Sequence, residues 1–140
     1  MGLAAHAWTQ AMNPTAKETR TWFYGAQQMI QKVIATISGE TFETNVIIIS
    51  HVDYRTTAIG LEKGYVNAIG RALGPVIPRF FNTLILAESS GSGKNVRRKI
   101  KTLPTGVVDL KVPIPFGLEG ELPLETGMST IFKMLKGKEK

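Results

Sequence analysis

Four consecutive β-branched apolar residues, Val46, Ile47, Ile48 and Ile49, stand inside Asn45-Val46-Ile47-Ile48-Ile49-Ser50-His51-Val52. The chain then turns polar at Asp53-Tyr54-Arg55-Thr56-Thr57. An apolar run without alternation predicts a strand buried on both faces, the pattern of a central parallel strand in an α/β sheet. Ligands of open parallel sheets collect outside the carboxyl ends of the strands. Ser50 and His51 fall at that end. The competing reading is that the two side chains only terminate the strand and bond locally.

Upstream of this run the period changes. Gly2 to Met12 is Ala-rich and weakly helical, and Asn13-Pro14-Thr15 breaks it. Thr15 followed by Glu18 has the spacing of a capping box. Apolar residues then recur at Trp22, Phe23, Ala26, Met29, Ile30, Val33 and Ile37, in steps of three and four. This predicts one apolar stripe on a long helix that Ser38-Gly39 ends. Gly25 inside that helix costs up to ~1 kcal/mol against Ala and is expected to allow close packing on the sheet. Helix, short connection and Val/Ile strand together form an αβ unit, which argues for a parallel sheet.

Downstream, residues 53–74 carry little apolar periodicity but contain Arg55, Lys63, Arg71, Gly60, Gly64, Gly70 and Gly74. Tyr65, Val66 and Ile69 leave room for a hairpin around Gly64. The stretch reads as a mobile, ligand-facing loop, since long structureless loops in small domains are uncommon unless functional. Gly74-Pro75 opens a short helical turn that Pro78 limits. Thr83 to Ala87 predicts a second apolar strand, and Ser89-Ser90-Gly91-Ser92-Gly93 a turn. From Asn95 to Leu103 the chain alternates. Val96, Arg98, Ile100 and Thr102 point one way; Arg97, Lys99, Lys101 and Leu103 point the other. This predicts a charged edge strand, antiparallel to its neighbour. Pro113, Pro115 and Pro123 with Gly106, Gly117 and Gly120 preclude long regular elements after Pro104. Glu125 to Lys136 then predicts a short helix with Met128, Ile131, Phe132 and Leu135 on one face, before a frayed lysine-rich end, Lys136 to Lys140. No repeat and no interdomain linker stands out.

Composition narrows the chemistry. The 140 residues are 43% hydrophobic and 20% charged, the balance of a globular chain. There is no cysteine, which excludes disulfides and thiolate metal sites. Only His6 and His51 could add imidazole to a metal site, and no carboxylate cluster accompanies them, so no metal site is expected. No stretch reaches the ~20 apolar residues of a membrane span, and the first residues lack the pattern of a secretory signal. The net charge of +6 fits an anionic partner such as nucleic acid. An independent hydrolase has little support: Gly-x-Ser-x-Gly is absent, and Glu40, Glu43 and Asp53 show no spacing that fixes a carboxylate pair.

Gly93-Lys94 invites comparison with the phosphate loop G-x-x-x-x-G-K-[ST], and fails it. Glu88 stands where the first glycine belongs and Asn95 where the magnesium-binding hydroxyl belongs. An alternating basic strand follows instead of a helix whose N-terminal amides would hold phosphate. The stretch reads as a glycine-rich hairpin.

The order of elements, with the turn Ala72-Leu73-Gly74-Pro75-Val76-Ile77-Pro78-Arg79-Phe80-Phe81 and the strand Asn82-Thr83-Leu84-Ile85-Leu86-Ala87, resembles the C-terminal half of the phage RecA-like P-loop ATPases. This is the group known as AAA-family nucleotide-binding or single-strand annealing proteins. The resemblance covers roughly Gly2 to Pro113. It implies an α/β fold: a partial RecA-like sheet with a long helix, central parallel strands and an antiparallel edge hairpin. The corresponding domains are a partial ATPase core over 1–115 and a C-terminal extension over 116–140. It further implies work in phage DNA recombination or replication, in the cytoplasm of the host.

In that family a polar residue at the end of this strand contacts the γ-phosphate and couples nucleotide state to a DNA-binding loop. By position His51 is the implied phosphate sensor, beside Ser50. Imidazole suits the task, because it donates to phosphate oxygens and changes charge near neutral pH. Arg55 and Lys63 are implied DNA contacts. Arg71 and Arg79 are candidates to reach a neighbouring subunit's nucleotide. Arg97, Lys99 and Lys101 form an electrostatic candidate for nucleic acid. Against each stands the reading of a solvated surface charge or a strand kept soluble.

The sequence departs from the family in one respect. The family's phosphate loop and acidic magnesium-binding strand precede this region, and neither is present here. ATP and magnesium are therefore expected only if a companion segment supplies the missing ligands, and hydrolysis by the chain alone is not expected. A fragment, a split gene's second half or an internal-start product would each explain this. The expected partners are single-stranded DNA and a protein partner or further copies of the chain, with no membrane. The alternative is a non-enzymatic assembly or inhibitory module that pairs with a full-length ATPase subunit at its sheet edge.

Overall fold

The long amphipathic helix forms where the stripe predicts it, although it starts later. In this computed structural model, which describes residues 2–113 and 118–137, helix α1 spans Gly2–Met12 and α2 spans Thr19–Ile37. The Ala16 amide donates to the Asn13 carbonyl at 3.2 Å, so Thr15 is used up in a turn and does not cap a helix. Glu18 is the N-cap instead, without a side-chain cap bond. The capping-box expectation is thus corrected, because Asn13-Pro14 closes a turn first.

The described chain is mixed α/β and falls into two compact units, residues 1–81 and 82–140. In the first unit α1 packs on α2. Gly25 serves this contact: a Cβ there would lie 2.9 Å from Thr9 Cγ2. The predicted close approach is real, but it is helix to helix and not helix to sheet. The Thr9 hydroxyl lies 2.9 Å from the Trp22 carbonyl and ties the pair. Ala5, Ala26, Ile30, Ile34, Leu73 and Ile77 form the buried core, with Val66, Ile69 and Phe80 against it.

The apolar run at 46–49 is where the structure departs most from expectation. It forms no strand, and Ile47, Ile48 and Ile49 are 58%, 41% and 92% exposed. A strand apolar on both faces needs cover on both faces and neighbours on both edges, and none is present among the described residues. Regular pairing begins instead in the polar segment. Strand β1, Val52–Thr56, pairs antiparallel with β2, Glu62–Val66, in the register Val52↔Val66 to Thr56↔Glu62. The intervening turn places Gly60 at φ +80 and closes with the Thr57 amide donating to the Leu61 carbonyl at 2.7 Å. The stretch expected to be a mobile loop is thus largely a hairpin. A 3-10 turn, Ile77–Phe80, carries Pro78 near its start and ends the unit.

The second unit is built on β3 (Leu86–Ser90), β4 (Arg97–Lys101) and β5 (Glu121–Pro123), in the order β3-β4-β5, all antiparallel. The parallel pairing expected from the αβ unit is not among the described elements. β3 starts three residues later than the predicted strand; Leu84 makes an isolated antiparallel bridge with Lys111. The glycine-rich turn joins β3 to β4 as expected, with Gly91 and Gly93 at positive φ.

The alternation holds only from Lys99 onwards: Ile100 and Thr102 are 1% and 3% exposed, whereas Val96 and Arg98, expected on the same inward face, are exposed like Arg97. Nor is β4 the edge strand expected. β5 covers the other edge, so β4 is the middle strand. Helix α3, Leu124–Lys136, matches the predicted final helix and packs Ile131, Met128 and Leu135 over Ile100 and Leu122. Gly127 permits this approach, since a Cβ would lie 3.0 Å from Ile100 Cδ1 and 3.0 Å from Leu122 Cβ. Pro115, Gly117, the 115/116 boundary and Lys138 to Lys140 lie outside the described residues. No helix among the described residues is long and apolar enough to cross a membrane.

Candidate functional site

The two hairpins use their cations differently. In the first, Arg55 projects from the middle of β1, where it meets groups of its own unit. Its Nε donates to Asp53 Oδ2 at 2.6 Å, and its Nη1 donates to the Arg71 carbonyl at 2.8 Å. Its guanidinium also lies 5.4 Å from the Tyr65 ring centroid. Three partners consume most of its donors, so Arg55 braces the hairpin to the chain after β2. Lys63 stands opposite Arg55 in the ladder and is half-buried.

Ser50 and His51 are exposed and lie just before β1, at its start and not at the end of an apolar strand. The Ser50 hydroxyl lies 3.1 Å from the Asn67 carbonyl, and the His51 carbonyl accepts the Asn67 amide at 2.9 Å. Both residues therefore make local bonds at the root of the hairpin. Arg71 follows β2 and Arg79 lies in the 3-10 turn; both are exposed. Arg71 meets Arg55 through its backbone carbonyl.

In the second unit the stripe Arg97, Lys99 and Lys101 does share one face of β4, but two of its three members are matched by carboxylates. Lys99 Nζ lies 2.7 Å from Glu121 Oε1, and Lys101 Nζ lies 2.9 Å from Glu88 Oε2. These are diagonal pairs across the ladders to β5 and β3. The hydrogen bond from Lys99, helped by the charges of Lys99 and Lys101, holds the Glu121 carboxyl below its ordinary range.

Arg97 and its neighbour Arg98 sit nearer the turn, opposite Ser90 and Ser89, and both are exposed. Neither forms an ion pair among the described residues, and neither does Lys94 in the short 3-10 turn Gly93–Asn95. The tip of the β3–β4 hairpin thus holds three unmatched cations on a Ser/Gly-rich support. A shallow groove runs from Ser90, Arg97 and Arg98 towards Glu121 and Glu125 at the start of α3.

The sequence pattern marks Arg97 but not Lys94 or Arg98: Lys94 falls in the failed phosphate-loop match, and the alternation puts Arg98 on the inward face with Ile100. Alternation buries a side chain only where something covers that face, and at the strand end nothing does. The strand position of Arg98, next to a glycine-rich turn, was the available signal.

Guanidinium groups donate in a fork that matches phosphate oxygens. Residues 86–101 contain no aromatic ring on which a base could stack. The tip can therefore grip phosphates through charge without reading base identity. Among the described residues, no group of three or more His, Asp or Glu side chains converges as a metal site.

Comparison with protein-family models, with curated protein sequences and with solved structures finds no match for this chain.

Proposed function

We propose that the chain is a module that binds single-stranded nucleic acid through phosphates, with the β3–β4 hairpin tip as its contact surface. The observation that carries this is the division of cations: Lys94, Arg97 and Arg98 are unmatched, while Lys99 and Lys101 each face a carboxylate. The net charge of +6 supports it.

The wider assignment is that of a nucleotide-linked part of a phage recombination or replication ATPase of the RecA-like group, working in the host cytoplasm. It rests on the sequence resemblance, carried by the Gly74-Pro75-Val76-Ile77-Pro78-Arg79-Phe80 turn; the Val/Ile run that the resemblance reads as a central strand forms none. In this assignment His51 senses phosphate beside Ser50, Arg71 and Arg79 reach a neighbouring subunit's nucleotide, and a companion segment supplies the ligands for ATP and magnesium. The exposed Ile47–Ile49 run favours a second reading, a non-enzymatic assembly module that pairs with a larger ATPase subunit.

The test is fluorescence anisotropy with a labelled oligothymidylate. Three phosphate contacts on a single strand give a log–log salt slope of about −2, so affinity falls roughly 20-fold between 50 and 200 mM salt. The Lys94→Ala/Arg97→Ala/Arg98→Ala variant loses most of that slope. Binding that ignores both salt and the triple variant overturns the proposal. Adding ATP and magnesium separates the readings: nucleotide-dependent binding requires the companion segment, and salt-dependent binding does not.

A further inference from the structure

We propose that β1 is a self-pairing edge that joins two copies of the chain antiparallel about Tyr54. This goes beyond nucleic-acid binding and concerns a different hairpin.

β1 has β2 on one side and, among the described residues, no strand on the other. The bonds that flank the ladder fix which groups point where. The Asn67 amide donates to the His51 carbonyl, and the Thr57 amide to the Leu61 carbonyl. In an antiparallel ladder, bonded and non-bonded positions alternate. Residues 51, 53, 55 and 57 therefore face β2, and Val52, Tyr54 and Thr56 turn their amides and carbonyls to the open edge. Those groups make no hydrogen bond among the described residues. The edge carries no proline, glycine, lysine or bulge, the devices that normally block edge pairing.

A second copy fits this edge because the edge is complementary to itself. A two-fold axis between antiparallel strands sets one residue opposite its own copy. With Tyr54 opposite Tyr54, Val52 faces Thr56, and all the outward groups bond across the seam. Asp53 then faces Arg55 of the other copy, and Arg55 faces Asp53, at positions where side chains come closest. Centring on Val52 would leave Arg55 opposite Ile49, and centring on Thr56 would leave Asp53 opposite Ile59. Only the Tyr54 register matches both charges. It also brings Ile49 of one copy, 92% exposed, alongside Ile59 of the other, 80% exposed, at both ends of the seam. The result is one sheet in the order β2-β1-β1-β2.

The test is sedimentation equilibrium on the full chain over a range of concentrations, with a register probe. The wild type is expected as a concentration-dependent dimer. Tyr54→Pro removes an outward donor and no bond to β2, so it should weaken the dimer at least about tenfold and keep its helical circular dichroism. The chain has no cysteine, so single thiols report register. Tyr54→Cys should cross-link to itself on mild oxidation, because facing Cα atoms at bonded positions lie about 5.5 Å apart. Val52→Cys and Thr56→Cys should cross-link with each other and not each with itself. A monomer at all concentrations, a dimer indifferent to Tyr54→Pro, or higher oligomers overturn the proposal. If Tyr54→Pro does not fold, the cross-linking pattern decides alone: self-linkage at 52 or 56, or none at 54, overturns it.

Discussion

The two hairpins differ in charge and in what they do with it: residues 52–66 balance Arg55 and Lys63 with Asp53 and Glu62, whereas residues 86–101 set five cations against Glu88 alone. In β1–β2 the central cation, Arg55, is bound to Asp53, to the Arg71 carbonyl and to the Tyr65 ring. Among the described residues, both outer edges of that two-stranded ribbon lack a neighbouring strand. In β3–β4 both edges of the middle strand are paired, and its inner face is sealed by α3, yet its turn end carries three unmatched cations. The lesson is that place within the ribbon decides what a charge does. Lys99 and Lys101 lie diagonal to carboxylates on the adjoining strands and Arg55 has Asp53 on its own strand, whereas the cations beside the β3–β4 turn have no carboxylate partner among the described residues. The first hairpin is accordingly suited to protein contact and the second to phosphate.

The largest expected effect concerns the packing on which the second hairpin depends. Ile100→Ala removes a side chain that is 1% exposed beneath α3, and substitutions of this kind cost about 2–5 kcal/mol. Ile49→Ala, at a site 92% exposed, should stay within about 0.5 kcal/mol at concentrations where the chain is monomeric. Urea titration compares the two. Equal costs would mean that the isoleucine run is packed after all.

Next in size is the charge division itself. Lys94→Ala/Arg97→Ala/Arg98→Ala should weaken oligonucleotide binding at low salt and flatten its log–log salt slope from about −2 towards zero, if each cation serves one phosphate. Lys99→Ala with Lys101→Ala should do much less, because their charge is already met by Glu121 and Glu88. Anisotropy titrations on both variants sharpen the comparison. A larger loss from the second variant would break it.

A smaller effect is expected at the first hairpin. Arg55→Ala should cost about 1 kcal/mol, the net worth of partly exposed hydrogen bonds, and should leave the salt slope of oligonucleotide binding unchanged. Hydrogen exchange at residues 52–66 should report the loosening. A changed salt slope would show that Arg55 touches phosphate.

The smallest effect is the pH response of Glu121. Its folded carboxyl titrates below the ordinary range because of the Lys99 hydrogen bond. Its contribution to stability is therefore present above the ordinary carboxylate range and is lost as pH falls through the lowered folded value. Carboxyl NMR titration of wild type and Lys99→Ala should show the Glu121 midpoint rise in the variant.

Much of this comparison was legible in the residues. The α2 stripe, the final helix and the alternation around Ile100 were readable, because each has a face that must be buried and a period that reveals it. The Ile47–Ile49 run misled for a physical reason: its composition describes a strand with cover on both sides, and composition cannot supply the cover. The β1–β2 hairpin was barely visible, since Asp53, Arg55 and Lys63 disguise a ladder held by backbone bonds and one glycine turn. β4 reads as an edge because its charges look like edge protection, whereas Lys99 and Lys101 are matched by Glu121, on a strand only three residues long, and by Glu88. At the candidate site, Arg97 was legible and Lys94 and Arg98 were not, because exposure at a turn depends on what lies nearby.

The most direct measurement is the map of backbone amide shifts as unlabelled oligothymidylate is added to the isotopically labelled chain at low salt. The largest changes should fall at Ser89 to Arg98, with Ser50 to Arg71 little moved. Changes centred on Arg55, Lys63 and Arg71, with the β3–β4 tip silent, would contradict this expectation.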